Sequence, residues 1–183
     1  YTHITYNDNA MVNVMNLLRD VYNKKTPYTY VPDTLCQRAR AAFDKGVECI
    51  LNTQVKQNGK LTVWCAQHDE HTLAPAKARA YELPSLSGAE SDNIVLLLMS
   101  ISDPSPEIIA SVEAAIAWFK ANKITGIMRE NFTNSEGKKD YRMIPCPQDD
   151  YPCPVLWARF YTLEDNRPFF CDRDGVKKYD ISE

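Results

Sequence analysis

The stretch Trp64–Gly88, "WCAQHDEHTLAPAKARAYELPSLSG", lies between two regions of helical periodicity and is itself irregular. Four consecutive residues of types that bind metals or protons, His68 to His71, are followed by Lys77, Arg79 and a loop of small residues. Three interpretations are open at this point: a metal centre, a catalytic site for an anionic substrate, or a charged surface loop. The rest of the chain has to distinguish them.

Two amphipathic helices are predicted before this stretch. Apolar residues recur at helical spacing over residues 10–22, and the group Asn7–Asn9 supplies oxygens for an N-cap. Asp33 is predicted to cap a second helix, whose apolar positions continue to Ile50. Two alternating runs around Asn58–Gly59 then predict a β-hairpin.

Two more helices are predicted after the stretch. Ser87 or Gly88 begins one, and Pro106 stands at the N-terminus of the next. After Gly126 the helical pattern stops, and short apolar or aromatic runs indicate extended segments. We therefore expect a mainly α fold in a single catalytic-type domain of residues 1–183. Its expected architecture is an (α/α)-toroid-like helical array with a small β-hairpin and an irregular or extended C-terminal part.

Composition excludes some classes of function. The net charge is −3, so no bulk attraction to nucleic acid is expected, and no apolar run is long enough to span a membrane. Six cysteines without a CxxC pair argue against a zinc ribbon. Cys146 and Cys153, in a proline-rich loop, make a short disulfide plausible, which would stabilise the fold by roughly 2–3 kcal/mol and indicate an exported protein.

The candidate metal ligands allow several chemistries. His68 and His71 could share a zinc ion on a helical turn, as in a zinc hydrolase, although the HExxH order is missing. Cys65 close to His68 suggests a nucleophile and its base only by adjacency. Calcium fits better, because carboxylates such as Asp8 and Asp69 are the ligands that it prefers.

The cationic residues point to an acidic ligand. Lys77 and Arg79 lie two residues apart and share a face if the segment is extended. In "LWARFY", alternation puts Arg159 on the same side as Trp157 and Tyr161. A guanidinium between aromatic rings suits a sugar acid, because it binds a carboxylate through two parallel hydrogen bonds. The alternative is a strand arginine whose stem covers aromatic surface.

Five segments, in this order, resemble the family 10 polysaccharide lyases, which are pectate lyases. They are "HITYNDNAMVNVMNLLRDV", "GVECILNTQ", "TVWCAQHDEHTLAPAKARAYELPSLSG", "AAIAWFKANKITGI" and "LWARFY", and they cover essentially the whole chain. The resemblance implies a toroid-like catalytic module that cleaves polygalacturonate by calcium-dependent β-elimination. It also implies a secreted or periplasmic bacterial enzyme, whose toroid a further segment or a second polypeptide would complete.

The resemblance also implies roles for individual residues. Arg79 matches the family's proton acceptor, Asp8 an acidic residue of its calcium and substrate site, and Arg159 a substrate-binding arginine. By proximity, the expected site extends to further residues: Asp69 as a second metal ligand, and Lys77, Tyr81 and Ser85 as substrate contacts. A pectate-binding module without catalysis, or an inactive lyase remnant, is the alternative from another class.

Overall fold

The computed structural model describes residues 2–147 and 153–179. In these residues the chain forms four α-helices, and short 3-10 turns at Asn7–Asn9 and Tyr28–Tyr30 precede the first two. The helices are α1 (Ala10–Tyr22), α2 (Asp33–Thr53), α3 (Gly88–Met99) and α4 (Pro106–Ala121). The strands before α3 are β1 (Ile4–Thr5), β2 (Lys56–Gln57), β3 (Lys60–Leu61), β4 (Gln67–His68) and β5 (Leu86–Ser87). The strands after α4 are β6 (Ile127–Thr133), β7 (Lys139–Pro145), β8 (Phe160–Tyr161), β9 (Pro168–Cys171) and β10 (Lys177–Lys178).

The helices pack in two pairs around a shared apolar core. Helix α1 packs mainly against α2, and α3 packs against α4. The side chain of Trp64 lies fully buried between the pairs. Its indole donates a 2.7 Å hydrogen bond to the carbonyl of Ile50 in α2, and its backbone N–H donates a 3.0 Å bond to the hydroxyl of Ser91 in α3. The loop that starts at Trp64 is therefore fixed to both pairs at its root.

The strands form small antiparallel sheets rather than one large sheet. Strand β1 pairs with β4, β2 with β3, and β6 with β7, while β5, β8, β9 and β10 form a four-stranded sheet. In that sheet Leu86 of β5 pairs with Tyr161 of β8, although the two residues are far apart in sequence. This pairing brings the end of the Trp64–Gly88 loop next to the "LWARFY" segment.

The expectation of a mainly α, toroid-like array is wrong. Helix accounts for 39% of the structure and strand for 20%, and the elements form four helices and several small sheets. A toroid requires one helix pair after another, whereas here a hairpin follows α2 and strands follow α4. The segments after Gly126 satisfy their backbone hydrogen bonds in strand ladders instead of adding helices. Their extended character, and the small hairpin, are confirmed.

Several local predictions are confirmed. The first helix covers residues 10–22 as the periodicity indicates. Asn58 and Gly59 both have positive φ between β2 and β3, which the hairpin turn requires. Ser87 caps α3 by accepting a hydrogen bond from the N–H of Glu90. Cys146 and Cys153 form the disulfide that the proline-rich loop suggested.

The predicted N-caps of the first two helices are wrong. No side chain caps α1, because Asp8 and Asn9 adopt left-handed φ values of 53° and 60° in a 3-10 turn. Asp33 is the first residue of α2 rather than its cap, and its carboxylate pairs with Lys24 at 2.6 Å. The polar residues before α1 are thus available for another role. Among the described residues, no helix is long and apolar enough to cross a membrane.

Gly88 allows α3 to begin directly against the segment that carries Arg159. A Cβ at this position would lie 2.4 Å from the backbone oxygen of Ala158. The Gly88 N–H donates a 3.2 Å hydrogen bond to the carbonyl of Arg159. Because backbone atoms cannot move aside as a flexible side chain can, only glycine fits this approach.

Replacement of Gly88 by alanine is expected to destabilise the fold. The added methyl would push residues 157–159 away from α3, at a cost of about 2–3 kcal/mol in unfolding free energy, measured by urea titration. Gly137→Ala is the control, because no atom lies near its Cβ position and only its positive φ costs about 1 kcal/mol. Equal losses in the two variants would contradict the close approach at Gly88.

Candidate active site

A tight turn presents the carboxylate of Asp8 to solvent. The backbone N–H groups of Tyr6 and Asn7 both donate to the carbonyl of Ala66, which anchors the turn to the root of the Trp64–Gly88 loop. Asn7 is buried, whereas the side chain of Asp8 is 80% exposed. The left-handed backbone at Asp8 and Asn9 therefore separates an inward amide from an outward carboxylate.

The buried carboxylate of Glu82 binds the groups around it. Its side chain is only 2% exposed. Arg79 donates to it from Nε at 2.9 Å, from Nη2 at 2.5 Å and from the backbone N–H at 3.1 Å. Asn7 donates from its amide nitrogen at 2.7 Å. A buried carboxylate with this many donors is held in one orientation, and it fixes the guanidinium of Arg79 in turn.

Arg159 reaches the same carboxylate from the other side. Its Nη2 lies 3.3 Å from Oε1 of Glu82, 3.2 Å from Oδ1 of Asn7 and 3.6 Å from Oε1 of Glu90. Arg159 contacts a different aromatic ring from the two, Trp157 and Tyr161, that alternation placed beside it. The guanidinium instead lies over the ring of Phe160, at 5.0 Å from its centroid, because β8 begins only at Phe160 and Arg159 precedes it.

The charged groups in this cluster shift one another's pKa values. The hydrogen bonds from Arg79 hold the pKa of Glu82 well below its usual 4.5, at about 2, and the amide of Asn7 adds to the effect. The same hydrogen bonds raise the pKa of Arg79 above its ordinary value. In this arrangement Glu82 is therefore an anion and Arg79 a cation at neutral pH.

Asp8, Arg79 and Arg159, the three residues to which the resemblance assigned roles, thus lie in one cluster. Besides its contacts with Glu82, Nη2 of Arg79 lies 3.7 Å from the carboxylate of Asp8. Its guanidinium also lies 5.2 Å from the ring centroid of Tyr81. The side chains of Arg79 and Arg159 remain 53% and 39% exposed, so both can still contact a ligand.

Comparison with known proteins identifies the family of this chain. The family model described as pectic acid lyase matches residues 1–183. The chain belongs to this family. A solved family 10 polysaccharide lyase from Cellvibrio cellulosa is 39% identical, with a TM-score of 0.83 over 98% of this chain and 54% of that chain. A mutant of the same lyase in complex with trigalacturonic acid matches with the same values. This chain spans about half the length of those lyases, and a search of curated proteins found no match.

Three residues that the sequence interpretation added by proximity form no hydrogen bond or ion pair with this cluster in the described part of the chain. Asp69 follows β4, and because Ile4 pairs with His68, it lies at the end of β1 opposite to Asp8. Nζ of Lys77 lies towards Gly175, 3.7 Å from where a Cβ on that glycine would be. Ser85 is fully buried, so its hydroxyl does not face a polymeric ligand.

Two residues of the site, Glu82 and Asn7, were missed from the sequence. Glu82 stands three positions after Arg79 in the same motif, which is the spacing of many ion pairs. That local signal could have been used. Asn7 binds Glu82 across 75 positions of sequence, and no local pattern indicates such a contact.

The zinc and cysteine alternatives fail on the geometry of His68. Nδ1 lies 2.9 Å from the carbonyl of Leu73, and Nε2 accepts a hydrogen bond from the N–H of Cys65 at 3.2 Å, so both ring nitrogens are in use. Burial also raises the pKa of the Cys65 thiol, the opposite of what a nucleophile requires. Across residues 2–147 and 153–179, no group of three or more His, Cys, Asp or Glu side chains could hold a metal.

Calcium fits the site only as an ion shared with the ligand. Asp8 supplies one carboxylate that accepts no hydrogen bond from the described residues, whereas calcium takes six to eight oxygens. The carboxylate of Glu82 is already saturated by Arg79, Asn7 and Arg159. Most oxygens around an ion at Asp8 would therefore belong to water and to an acidic substrate.

The cluster predicts a specific dependence of stability on pH. Because the folded-state pKa of Glu82 is lowered to about 2, its contribution is present above pH 4.5 and is lost as the pH falls towards 2. After allowance for solvent around the two arginines, this contribution is about 2 kcal/mol. Glu82→Gln should lower the unfolding free energy at pH 7 by this amount and reduce its loss between pH 4.5 and 2.

Urea titrations at pH 7, 4.5 and 3 would test this dependence. Glu113→Gln is the matched control, because Glu113 is exposed on α4 and forms no ion pair with the described residues. If the two variants follow the same curve, Glu82 does not hold the arginines as the structure indicates.

Proposed function

We propose that this protein is a pectate lyase that cleaves polygalacturonate by β-elimination. The observation that supports it best is the cluster of Asp8, Arg79 and Arg159 around the carboxylate of Glu82. The family match and the related lyase in complex with trigalacturonic acid support the class of substrate. A site with two exposed guanidinium groups suits a polymer with one carboxylate on each ring.

The reaction needs charge stabilisation beside the substrate's carboxylate. The C5–H bond breaks, its electron pair forms the C4=C5 double bond, and the C4–O bond breaks, so the leaving oxygen takes the electrons and then a proton. Loss of the C5 proton places a second negative charge next to the carboxylate. Preorganised cations at that position lower the barrier, because they need no rearrangement as the charge develops.

Arg159 is proposed to bind the carboxylate of the reacting galacturonate unit. Its guanidinium is held by Asn7, Glu82 and the ring of Phe160, so the side chain loses little conformational freedom when the substrate binds. Arg79 is proposed to accept the C5 proton, in its neutral form. Since the hydrogen bonds that Arg79 donates to Glu82 favour the charged form, this neutral form becomes populated only at alkaline pH.

Asp8 is proposed to hold a calcium ion together with the substrate. Its carboxylate is exposed at the edge of the cluster, where a polymer can approach. Calcium bound there would withdraw charge from the substrate carboxylate and so make the C5 proton more acidic. The protein directs one carboxylate outwards from the turn Asn7–Asn9, and the hydrogen bond from Asn7 to the buried Glu82 fixes this turn in place.

Replacement of Arg79 by alanine is expected to abolish cleavage. Loss of the proton acceptor should reduce kcat/KM on polygalacturonate at least about 100-fold. In the wild type, kcat/KM should rise about tenfold per pH unit in the alkaline range, because the neutral fraction of a group below its pKa rises in this proportion. The assay is the ultraviolet absorbance of the unsaturated product.

Arg40→Ala is the control for this experiment. Arg40 is an exposed arginine on α2 that pairs with Asp44 and lies over the ring of Tyr22, so its loss should leave the rate unchanged. Near-full turnover by Arg79→Ala would show that another group takes the proton. Binding of polygalacturonate by the wild type without any absorbance change would instead identify a pectate-binding module.

Removal of calcium is expected to stop the reaction. EDTA should abolish cleavage and calcium should restore it, whereas magnesium should not, because it requires a smaller and more regular shell. Asp8→Asn should raise the calcium concentration for half-maximal rate about tenfold, since it removes one charged ligand. Asparagine fits the left-handed backbone of this position, so the turn is preserved.

Asp69→Asn is the matched control, because that carboxylate accepts hydrogen bonds from His71 and Thr72 and lies away from Asp8. Equal calcium requirements in the two variants would remove Asp8 from the proposed ion site.

We further propose that the protein is exported from a bacterial cell, to the periplasm or beyond. The disulfide between Cys146 and Cys153 supports this location, because such bonds persist in oxidising compartments. An extracellular polymer as substrate supports it as well. The remaining cysteines of the described residues are free thiols, two of them buried: Cys36, Cys49, Cys65 and Cys171.

A further inference from the structure

A second cleft lies between the β6–β7 hairpin and the sheet of β8, β9 and β10. Its volume is about 650 Å³, which is in the range of ligand-binding clefts. Cationic and aromatic side chains provide much of its wall. Those that matter here are Arg129, Tyr141, Trp157, Arg159, Phe170 and Lys178.

The register of the hairpin decides which of its side chains face this cleft. Arg129 pairs with Met143 and Asn131 pairs with Tyr141, so these residues share one face. Of these four, Arg129, Tyr141 and Met143 line the cleft. Arg142 is one position out of phase and lies on the opposite face, where its Nε binds Glu130 at 2.6 Å.

The cleft carries an excess of positive charge. Arg129, Arg159 and Lys178 line it, against the single carboxylate of Asp172. The guanidinium of Arg129 lies 4.2 Å from the ring centroid of Tyr141, and its Nε donates to Asn131 at 3.1 Å. These contacts orient the group and leave its terminal nitrogens without a partner among the described residues.

Two further charged groups of the wall, Lys178 and Asp172, are partly engaged. Lys178 pairs with Asp174 at 3.1 Å, and the carboxylate of Asp172 accepts the N–H of Arg173 at 2.7 Å. Arg129 is therefore the cation of this wall that is best placed to bind an anion from solution.

Arg159 connects this cleft to the proposed catalytic cluster. The residue lines the cleft, and its Nη2 binds Asn7 and Glu82 beside Arg79. A polymer whose carboxylate binds Arg159 would therefore continue either past Arg79 or into the cleft. The rings of Trp157 and Phe170, each about two-fifths exposed, offer apolar surface along the second route.

We propose that this cleft binds additional galacturonate units of a polygalacturonate chain, with Arg129 contacting a carboxylate beyond the reacting unit. This inference rests on the proposed function and extends it to the preference for chain length and for charge. Long chains of free acid gain the contact, whereas short oligomers do not reach it. Methyl-esterified pectin loses it, because an ester has no charge to pair with the guanidinium.

Arg129→Ala and Arg142→Ala provide the test, since they remove the same side chain from opposite faces of one hairpin. With polygalacturonate, Arg129→Ala should raise both KM and the Kd from calorimetric titration about five- to tenfold. This is the effect expected for the loss of one charge-assisted contact at a solvent-exposed site. With trigalacturonic acid its kcat and KM should stay at wild-type values. Arg142→Ala should match the wild type on both ligands.

The outcomes separate this inference from the proposed function. If the wild type binds and cleaves polygalacturonate and Arg129→Ala behaves like Arg142→Ala, the cleft is not a substrate site. A KM that rises equally for the trimer and the polymer would also overturn the inference, because the effect would then come from the catalytic cluster. If the wild type neither binds nor cleaves polygalacturonate, the proposed function fails and the inference fails with it.

Discussion

The interaction on which the site depends is the contact of one buried carboxylate with two guanidinium groups. Glu82 accepts hydrogen bonds from Arg79 and Arg159, and the amide of Asn7 contacts both Glu82 and Arg159. Without this carboxylate the two positively charged guanidinium groups would repel each other. The carboxylate of Glu82 between them reduces this repulsion. The same carboxylate favours the charged form of Arg79, which opposes the proposed role of Arg79 as proton acceptor.

The fold is arranged so that three distant segments meet at this anion. Trp64, buried between the two helix pairs, fixes the start of the loop that carries Arg79 and Glu82. Gly88, at the end of that loop, lets helix α3 approach the segment that holds Arg159. The site therefore draws its rigidity from the apolar core and not from the loop itself. A change that alters no charge, such as a methyl at Gly88, is transmitted to Arg159 through backbone contact.

The sequence predicted the helices well because their signals are local and periodic. Asp8 and Arg79 could be singled out because the motifs around them are long, and the structure brings the two side chains together. The prediction of a toroid was wrong, because the positions of the helices in the sequence do not determine whether the element that follows each pair is a helix or a strand. Arg159 was placed on the wrong aromatic neighbours because alternation applies only inside a strand, and β8 starts after it. Glu82 was missed because its partners include Asn7, distant in sequence, and Ser85 was included because burial cannot be read from a motif.

The left-handed backbone at Asp8 and Asn9 constrains how this protein can evolve. Few residues other than glycine, asparagine and aspartate adopt such φ values readily, so at Asp8 the backbone conformation and the proposed role of the carboxylate restrict the same position. A lineage that drops the carboxylate can keep the turn only by drifting to asparagine or glycine. Divergence at Asp8 would thus leave the backbone intact while removing the carboxylate of the proposed ion site, and the two forms would be hard to tell apart by shape alone.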